Sequence, residues 1–290
     1  MADSKLTALT EVSVPDLDDL NYLVDVSDTT DDAAGSSRKV TLRRQLALCG
    51  ITPGGRITLE SGVPVSSSSQ TSKSTIYYTP YAHDWVRLYD GTRPKLYQFT
   101  ERSLALSGLT SGKNYDVFLY DNSGTLTLEL SAAWTDDTTR ADALAWQAGV
   151  GYVKSGTATR LWLGTIRTTG TTTTGLEFGS VDTKPYCFLK NTYNRVRAAF
   201  RWSDSTNSWS YSSTTLRAMN NSANARFEFV EVEPGVVDAA VHIHIGGSGN
   251  GQIAVGYDTT TAVYTAIAQY NAVGQTGVMS ESVRTAAGFH

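Results

Sequence analysis

The sequence predicts an all-β protein: a small N-terminal hairpin-plus-helix module followed by two antiparallel β domains of sandwich or jelly-roll type. Three observations carry that expectation. Thr, Val, Gly and aromatics dominate (15 Tyr, 6 Trp, 8 Phe), and charged residues make up only 18%, so the straight-chain residues that build exposed helices are sparse. Short runs alternate apolar and polar residues, with Gly, Asn and Asp between them. At 290 residues the chain has room for two substantial cores.

Residues 1–52 read as the small module. Residues 1–19 are polar and acidic, with Leu6, Leu9, Val12, Val14 and Leu17 as scattered apolar anchors. Leu20 to Val26 alternates as a strand, with Leu20, Tyr22, Val24 and Val26 on one face. After a long polar loop, Val40 to Leu42 belongs to the return strand. Thr41 can cap a short helix through Leu48, stopped by Gly50 and Pro53. The first 34 residues hold nine acidic residues against Lys5 alone, and Arg38, Lys39, Arg43, Arg44 and Arg56 then reverse the sign. Two readings stay open: a solvated hairpin with opposite charges facing across its strands, or an electrostatically matched docking element. A hairpin this small is marginal in water, so either the rest of the chain or a partner must cover its apolar face.

Residues 53–170 read as a central β domain. "GGRITLESGVPV" starts it, followed by the polar loop "SSSSQTSKS" and the strand "TIYYTPY". "WVRLYDGTRPKLYQF" predicts a hairpin turning at Asp90-Gly91. "NYDVFLYDNSGTLTLEL" predicts another, with Asn122-Ser123-Gly124 as a three-residue loop and Leu126, Leu128 and Leu130 on one face. "TTRADALAWQAG" reads as a helix of about two turns, and "YVKSGTATRLWLGTI" as a further hairpin. The Thr/Gly-rich run over 171–185 reads as a linker. Beyond it, 186–290 reads as a second β domain with strands in "YNRVRAAFRW", "SWSYSSTTLRAM", "ARFEFVEV", "VVDAAVHIHIGG", "GQIAVGYD" and "AVYTAIAQYNA". No repeat of fixed period appears.

Charge and composition limit the function classes. A net charge of −4 and a pI near 5.6 do not provide the basic stripe of a nucleic-acid binder. No apolar stretch approaches the ~18 residues of a membrane span, and the first residues lack the pattern of a signal peptide. The expectation is a soluble protein. Cys49 and Cys187 are far apart without metal-ligand spacing and read as free thiols.

The chemical motifs are few. His242 and His244 share a strand face and could begin a metal site, but no Cys, Asp or Glu follows at ligand spacing. Asp25, Asp28, Asp31 and Asp32 lack the alternation, Gly and closing Glu of a calcium loop. "GGSGNG" lacks the Lys-Ser/Thr of a phosphate loop. No Gly-x-Ser-x-Gly elbow or His-Glu-x-x-His occurs, and Asp136-Asp137 and Glu231/Glu233 are ordinary as sequence. Nothing calls for catalysis or for a cofactor. Aromatics are the stronger signal: Trp85, Tyr89, Trp162, Trp202, Trp209 and Tyr211 lie in or near strands that also carry polar residues.

"SKLTALTEVSVPDLDDLNYLVDVSDTTDDAAGSSRKVTLRRQL" resembles the N-terminal segment of many tailed-phage virion proteins. The matching positions are Lys5-Leu6-Thr7-Ala8-Leu9, Asp25-Val26-Ser27-Asp28-Thr29-Thr30 and Gly35 to Thr41. The middle, including "LSGLTSGKNYDVFLYDNSGTLTLEL", looks like phage fibre-type proteins carrying that segment, and the likeness covers about 1–170. From 186 on it is looser, resting on "NTYNRV".

The resemblance implies a non-enzymatic structural protein of a phage particle, assembled in the host cytoplasm as a homotrimer. Its N-terminal module would be covered by other virion proteins, with Leu20, Tyr22, Val24, Val26, Arg38 and Val40 as the attachment candidates. The fibre or receptor-binding role comes first, with Trp202, Trp209 and Tyr211 as candidates for contact with a host-surface glycan or protein. A capsid decoration or head-fibre role is the alternative, and a polysaccharide depolymerase the third reading. No nucleic acid and no membrane insertion are expected. Related chains commonly continue past "GFH", so the reading expects an exposed sheet edge near 280–290 that packs against another chain.

Overall fold

The computed structural model describes residues 20–25, 30, 33, 35–42, 45, 50–206, 208–213, 215–245, 251–259, 267–270 and 275–290. Over these the protein is all-β, built from several mainly antiparallel sheets. The strands β1 (Leu20–Asp25) and β2 (Ser36–Thr41) form the N-terminal ribbon. The helix expected from Thr41 to Leu48 falls mostly on residues outside those described.

The next strands are β3 (Gly55–Thr58), β4 (Gln70–Lys73), β5 (Thr75–Pro80), β6 (Trp85–Tyr89), β7 (Pro94–Gln98) and β8 (Arg102–Ala105). β9 (Asn114–Asn122), β10 (Thr125–Leu130), β11 (Leu144–Gln147), β12 (Gly151–Lys154), β13 (Thr157–Arg167) and β14 (Thr174–Glu177) follow. A six-stranded sheet takes the order β10-β9-β13-β12-β11, with β16 (Leu189–Asn191), which follows β15 (Tyr186–Cys187), also pairing β13. β3-β5-β8 and β6-β7 pack on this sheet. Between them lies the main core, where Ile57, Ile76, Val86, Val117, Leu119 and Leu161 are each 0–1% exposed. Each such side chain contributes about 1.5–3 kcal/mol by leaving water.

Turn chemistry explains the hairpins. At the tip of β9–β10, Thr125 pairs Asn122, so the connection is the two residues Ser123 (φ 53°) and Gly124 (φ 95°) rather than the expected three. Both central residues are left-handed, the twist that suits a two-residue hairpin. The Asp90 turn closes β6–β7 through Asp90 N–H to Arg93 O, and Ser155-Gly156 closes β12–β13. Gly164, at an irregularity in the β9–β13 register, meets a different demand: a Cβ there would sit 2.2 Å from Lys190 O. Only glycine lets β16 come so close.

Three expectations need correction in this half. The stretch 138–149 is not a helix: Leu144–Gln147 is strand β11, and Ala145 pairs Val153 while Trp146 pairs Tyr152. Sheet pairing outweighs the helix preference of Leu, Ala and Gln. The polar run 66–74 contains strand β4. The run 171–185 contains β14, which pairs β4 on one side and β15 on the other. Thr174 is fully buried, its hydroxyl donating to Arg167 O at 2.6 Å. Its β-branched threonines serve a sheet instead of a linker.

The later strands are β17 (Glu228–Glu231), β18 (Gly235–Ile245), β19 (Gly251–Ala254), β20 (Ile267–Tyr270), β21 (Gln275–Thr285) and β22 (Gly288–Phe289). A five-stranded sheet in the order β22-β17-β15-β14-β4 joins residues from 70 to 289, so pairing runs across the expected domain boundaries. Asn191 and Asn194 reinforce this link. Asn191 accepts from Ile57 N–H (2.6 Å) and donates to Ile57 O (2.9 Å), and Asn194 donates to Pro53 O (2.7 Å). β18 and β21 form a long ribbon of eleven residue pairs, and β19 pairs β20.

Residues 193–202 and the described residues of 208–219 hold no strand, contrary to expectation. Period-two alternation specifies two faces but not a partner strand, and here the partner is missing among the described residues. The C-terminal edge divides in two: β21 pairs only β18, so its other edge has no ladder partner among the described residues, whereas the last residues are paired within the chain. β22 pairs β17, Phe289 N–H donates to Asp137 O (2.9 Å), and the His290 side chain is 4% exposed. Residues 286–290 therefore pack on their own chain, covered on the far side by the 137–138 loop.

Candidate binding cleft

A concavity of about 3380 Å³ lies mainly in the C-terminal half. Pockets for small molecules are on the order of 300–1,000 Å³. This one has the scale of an extended polymer or another chain. It is lined by residues from 195–219, from β17 and its flank, from β18 and from 252–259.

Aromatic rings dominate one wall. Phe178 stacks on Phe200 (5.4 Å between centroids), Phe200 on Phe227 (4.5 Å) and Phe227 on Phe229 (5.0 Å). His290 and Tyr257 extend the file, at 5.3 Å from Phe229 and 5.0 Å from each other. Phe227 and Phe229 are two residues apart at β17, which puts both rings on one face. The sequence-predicted contact residues Trp202, Trp209 and Tyr211 all line this same cleft. Trp209 and Tyr211 are 37% and 41% exposed, and Arg217 stacks 3.9 Å over the Tyr211 ring.

The charged groups sort into satisfied and unsatisfied sets. Glu231 is buried and receives Lys190 Nζ at 2.7 Å. Glu228 pairs with Lys184 (2.6 Å) and Arg226 (2.7 Å), Asp238 with Arg197 (3.3 Å), and Asp258 with His290 (3.0 Å). By contrast, Trp202 Nε1, Arg217 Nε and Asp204 Oδ2 are shielded from solvent with no hydrogen-bond partner among the described residues. A backbone N–H from Thr206 to the other oxygen holds the Asp204 carboxyl below the usual carboxylate range. An unpaired buried polar atom costs about 1–3 kcal/mol, so three within 202–217 mark a surface suited to a hydroxyl-bearing or charged ligand.

The other sequence candidates fall elsewhere. Leu20 is 53% exposed. The side chains of Tyr22 and Val24, and the whole of Val26, lie outside the described residues. Register divides the attachment set: Leu20 pairs Thr41 and Tyr22 pairs Lys39, whereas Arg38 pairs Leu23 and Val40 pairs Asn21. Arg38 and Val40 therefore belong to the face opposite Leu20. His242 and His244 are exposed on one face of β18, and no metal-holding group of three or more occurs among the described residues. Asp28, Asp31 and Asp32 lie outside those residues, as does Cys49. Burial pushes the Cys187 thiol up, the environment of an inert thiol.

Asp136, Asp137 and Glu233 are each held by partners of their own. Asp136 accepts from Thr138 and Thr139 N–H in its own loop, Asp137 pairs Arg167 (2.8 Å), and Glu233 pairs Arg195.

Two features escape sequence reading. The first is Asp116, fully buried on β9, which accepts from Trp134 Nε1 and Trp162 Nε1 (3.0 Å each) and from Thr165 Oγ1 (2.6 Å). Arg140 lies 3.2 Å from its carboxylate, stacks on both indoles, and donates to Val232 O. Burial pushes the Asp116 carboxyl up, against the pull of Arg140, Thr165 and Trp134. The available signal was a lone Asp inside the apolar run "NYDVFLY". The second is Trp146, 68% exposed and edge-on to Tyr152 at 5.3 Å. The helix expected there hid it.

Comparison of the chain with family models, with curated proteins and with solved structures finds no match.

Proposed function

We propose that this chain is a non-enzymatic structural protein of a bacteriophage particle, a fibre-type receptor-binding protein. Its N-terminal hairpin-plus-helix module attaches to other virion proteins, and its sandwich- or jelly-roll-type β bodies, assembled as a homotrimer, face the host surface. The observation that carries the binding half of this reading is the aromatic cleft. It gathers Trp202, Trp209 and Tyr211 in a space too large for a small metabolite. Among its carboxylates Glu228, Glu231 and Asp238 are held in ion pairs and Asp258 is hydrogen-bonded to His290, which supports recognition over hydrolysis. The exposed Leu20 on a two-stranded ribbon supports the attachment half. The particle context rests on the resemblance of residues 5–41 to virion attachment segments.

The test is deletion of residues 1–52. The truncated chain should remain folded, still adsorb to host cells, and fail to join particles. Particles that incorporate it at normal copy number would exclude the attachment role. Fragile capsids on loss of the protein, without any contact with cells, would favour the decoration role. Steady release of reducing ends from host glycan would favour the depolymerase.

A further inference from the structure

We infer that the cleft takes a carboxylate-bearing polysaccharide, an inference that rests on reading the cleft as the receptor site. Its lining holds seven Arg and Lys against five Asp and Glu, in a chain whose net charge is −4. Three of those five carboxylates already have a Lys or Arg of this chain beside them and Asp258 is hydrogen-bonded to His290, the fifth being Asp204. Arg201 and Arg217 have no carboxylate partner among the described residues, and both line the cleft. A guanidinium binds a carboxylate through two parallel N–H bonds, and the pair is stronger than a neutral hydrogen bond.

The neighbouring chemistry fits sugar rings. Trp209 is partly exposed for stacking, and Tyr211 is partly exposed with Arg217 over one face of its ring. Eight of the fourteen described residues from 202 to 217 are Ser or Thr. The unpaired set in this stretch offers donors (Trp202 Nε1 and Arg217 Nε) and an acceptor (Asp204 Oδ2). A sugar hydroxyl, which both donates and accepts, answers both. An acidic peptide would answer the arginines and leave Asp204 facing like charge.

The experiment is binding of the full chain to an array of uronate- and nonulosonate-bearing, sulfated, phosphorylated and neutral glycans, at about 0.05 and about 0.3 M salt. The bound set should carry carboxylates and weaken with salt. Arg201→Gln and Arg217→Gln should each reduce affinity about tenfold. Arg201 is exposed, so its variant should fold even if the Arg217 variant does not, and Trp146→Ala should bind as wild type. Binding confined to neutral glycans, or to sulfated or phosphorylated ones, overturns the carboxylate inference and leaves the receptor reading standing. Equal affinity of wild type and Arg201→Gln also overturns it. Binding to no glycan overturns it too, and adsorption to whole host cells then decides the receptor reading separately.

Discussion

Asp116 in residues 53–191 and Asp204 in residues 193–290 both lie in sequence among aromatic residues, yet their neighbourhoods treat aromatic and charged groups in opposite ways. In the first region Trp134 and Trp162 are 1–2% exposed, and their indole N–H groups end on Asp116. In the second, Trp209 is 37% exposed and Trp202 Nε1 has no partner among the described residues. Asp116 is ringed by donors, while one Asp204 oxygen has no hydrogen-bond partner among the described residues. The difference teaches where each property resides. A closed network holds the fold around Asp116, and the open one around Asp204 is where the proposed ligand would bind.

The largest break in this contrast should come from Asp116→Ala. It strands Arg140 and two buried indole N–H groups at once, and removal of one member of a buried ion pair costs about 3–5 kcal/mol. Urea unfolding should report that loss, and a change near zero would mean that the network is not closed. Leu119→Ala should follow at about 2–5 kcal/mol, from a position that is 0% exposed in the main core. Trp209→Ala should change stability by less than about 0.5 kcal/mol, while weakening receptor binding by about 1 kcal/mol or more.

The smallest effect concerns pH. Burial works against ionisation of Glu101, but hydrogen bonds from Ser61, Thr79 and Gly62 outweigh it and hold the carboxyl below its usual range. Its contribution is therefore present above the unfolded-state pKa and is lost as pH falls through the folded value. The stability difference between wild type and Glu101→Gln should shrink on acidification across that window. A difference that grows would reverse the sign.

Much of the first region was legible in the sequence because its signals are local. Asp90-Gly91 and Ser123-Gly124 fix turns, and Leu126 and Leu128 alternate onto a buried face. What could not be read was partnership. Trp146 sits among helix formers and became a strand residue only because Gly151–Lys154 lies beside it. Thr174 looked like linker and is buried between β4 and β15. Val196, Ala198 and Phe200 alternate as a strand should, yet no ladder meets them among the described residues. In the cleft, the aromatic candidates Trp202, Trp209 and Tyr211 were visible as residue types. The file from Phe178 to Phe229 was not, because it assembles rings from three separate segments.

The most direct test of the division between a closed body and an open cleft is a paired measurement on one variant, Trp209→Ala combined with Tyr211→Ala. Unfolding free energy and adsorption to host cells are measured on the same preparation. Both rings are partly exposed, so the unfolding free energy should stay within about 1 kcal/mol of wild type. Adsorption should fall about tenfold or more. Unchanged adsorption, or a stability loss as large as that of Leu119→Ala, would contradict the account.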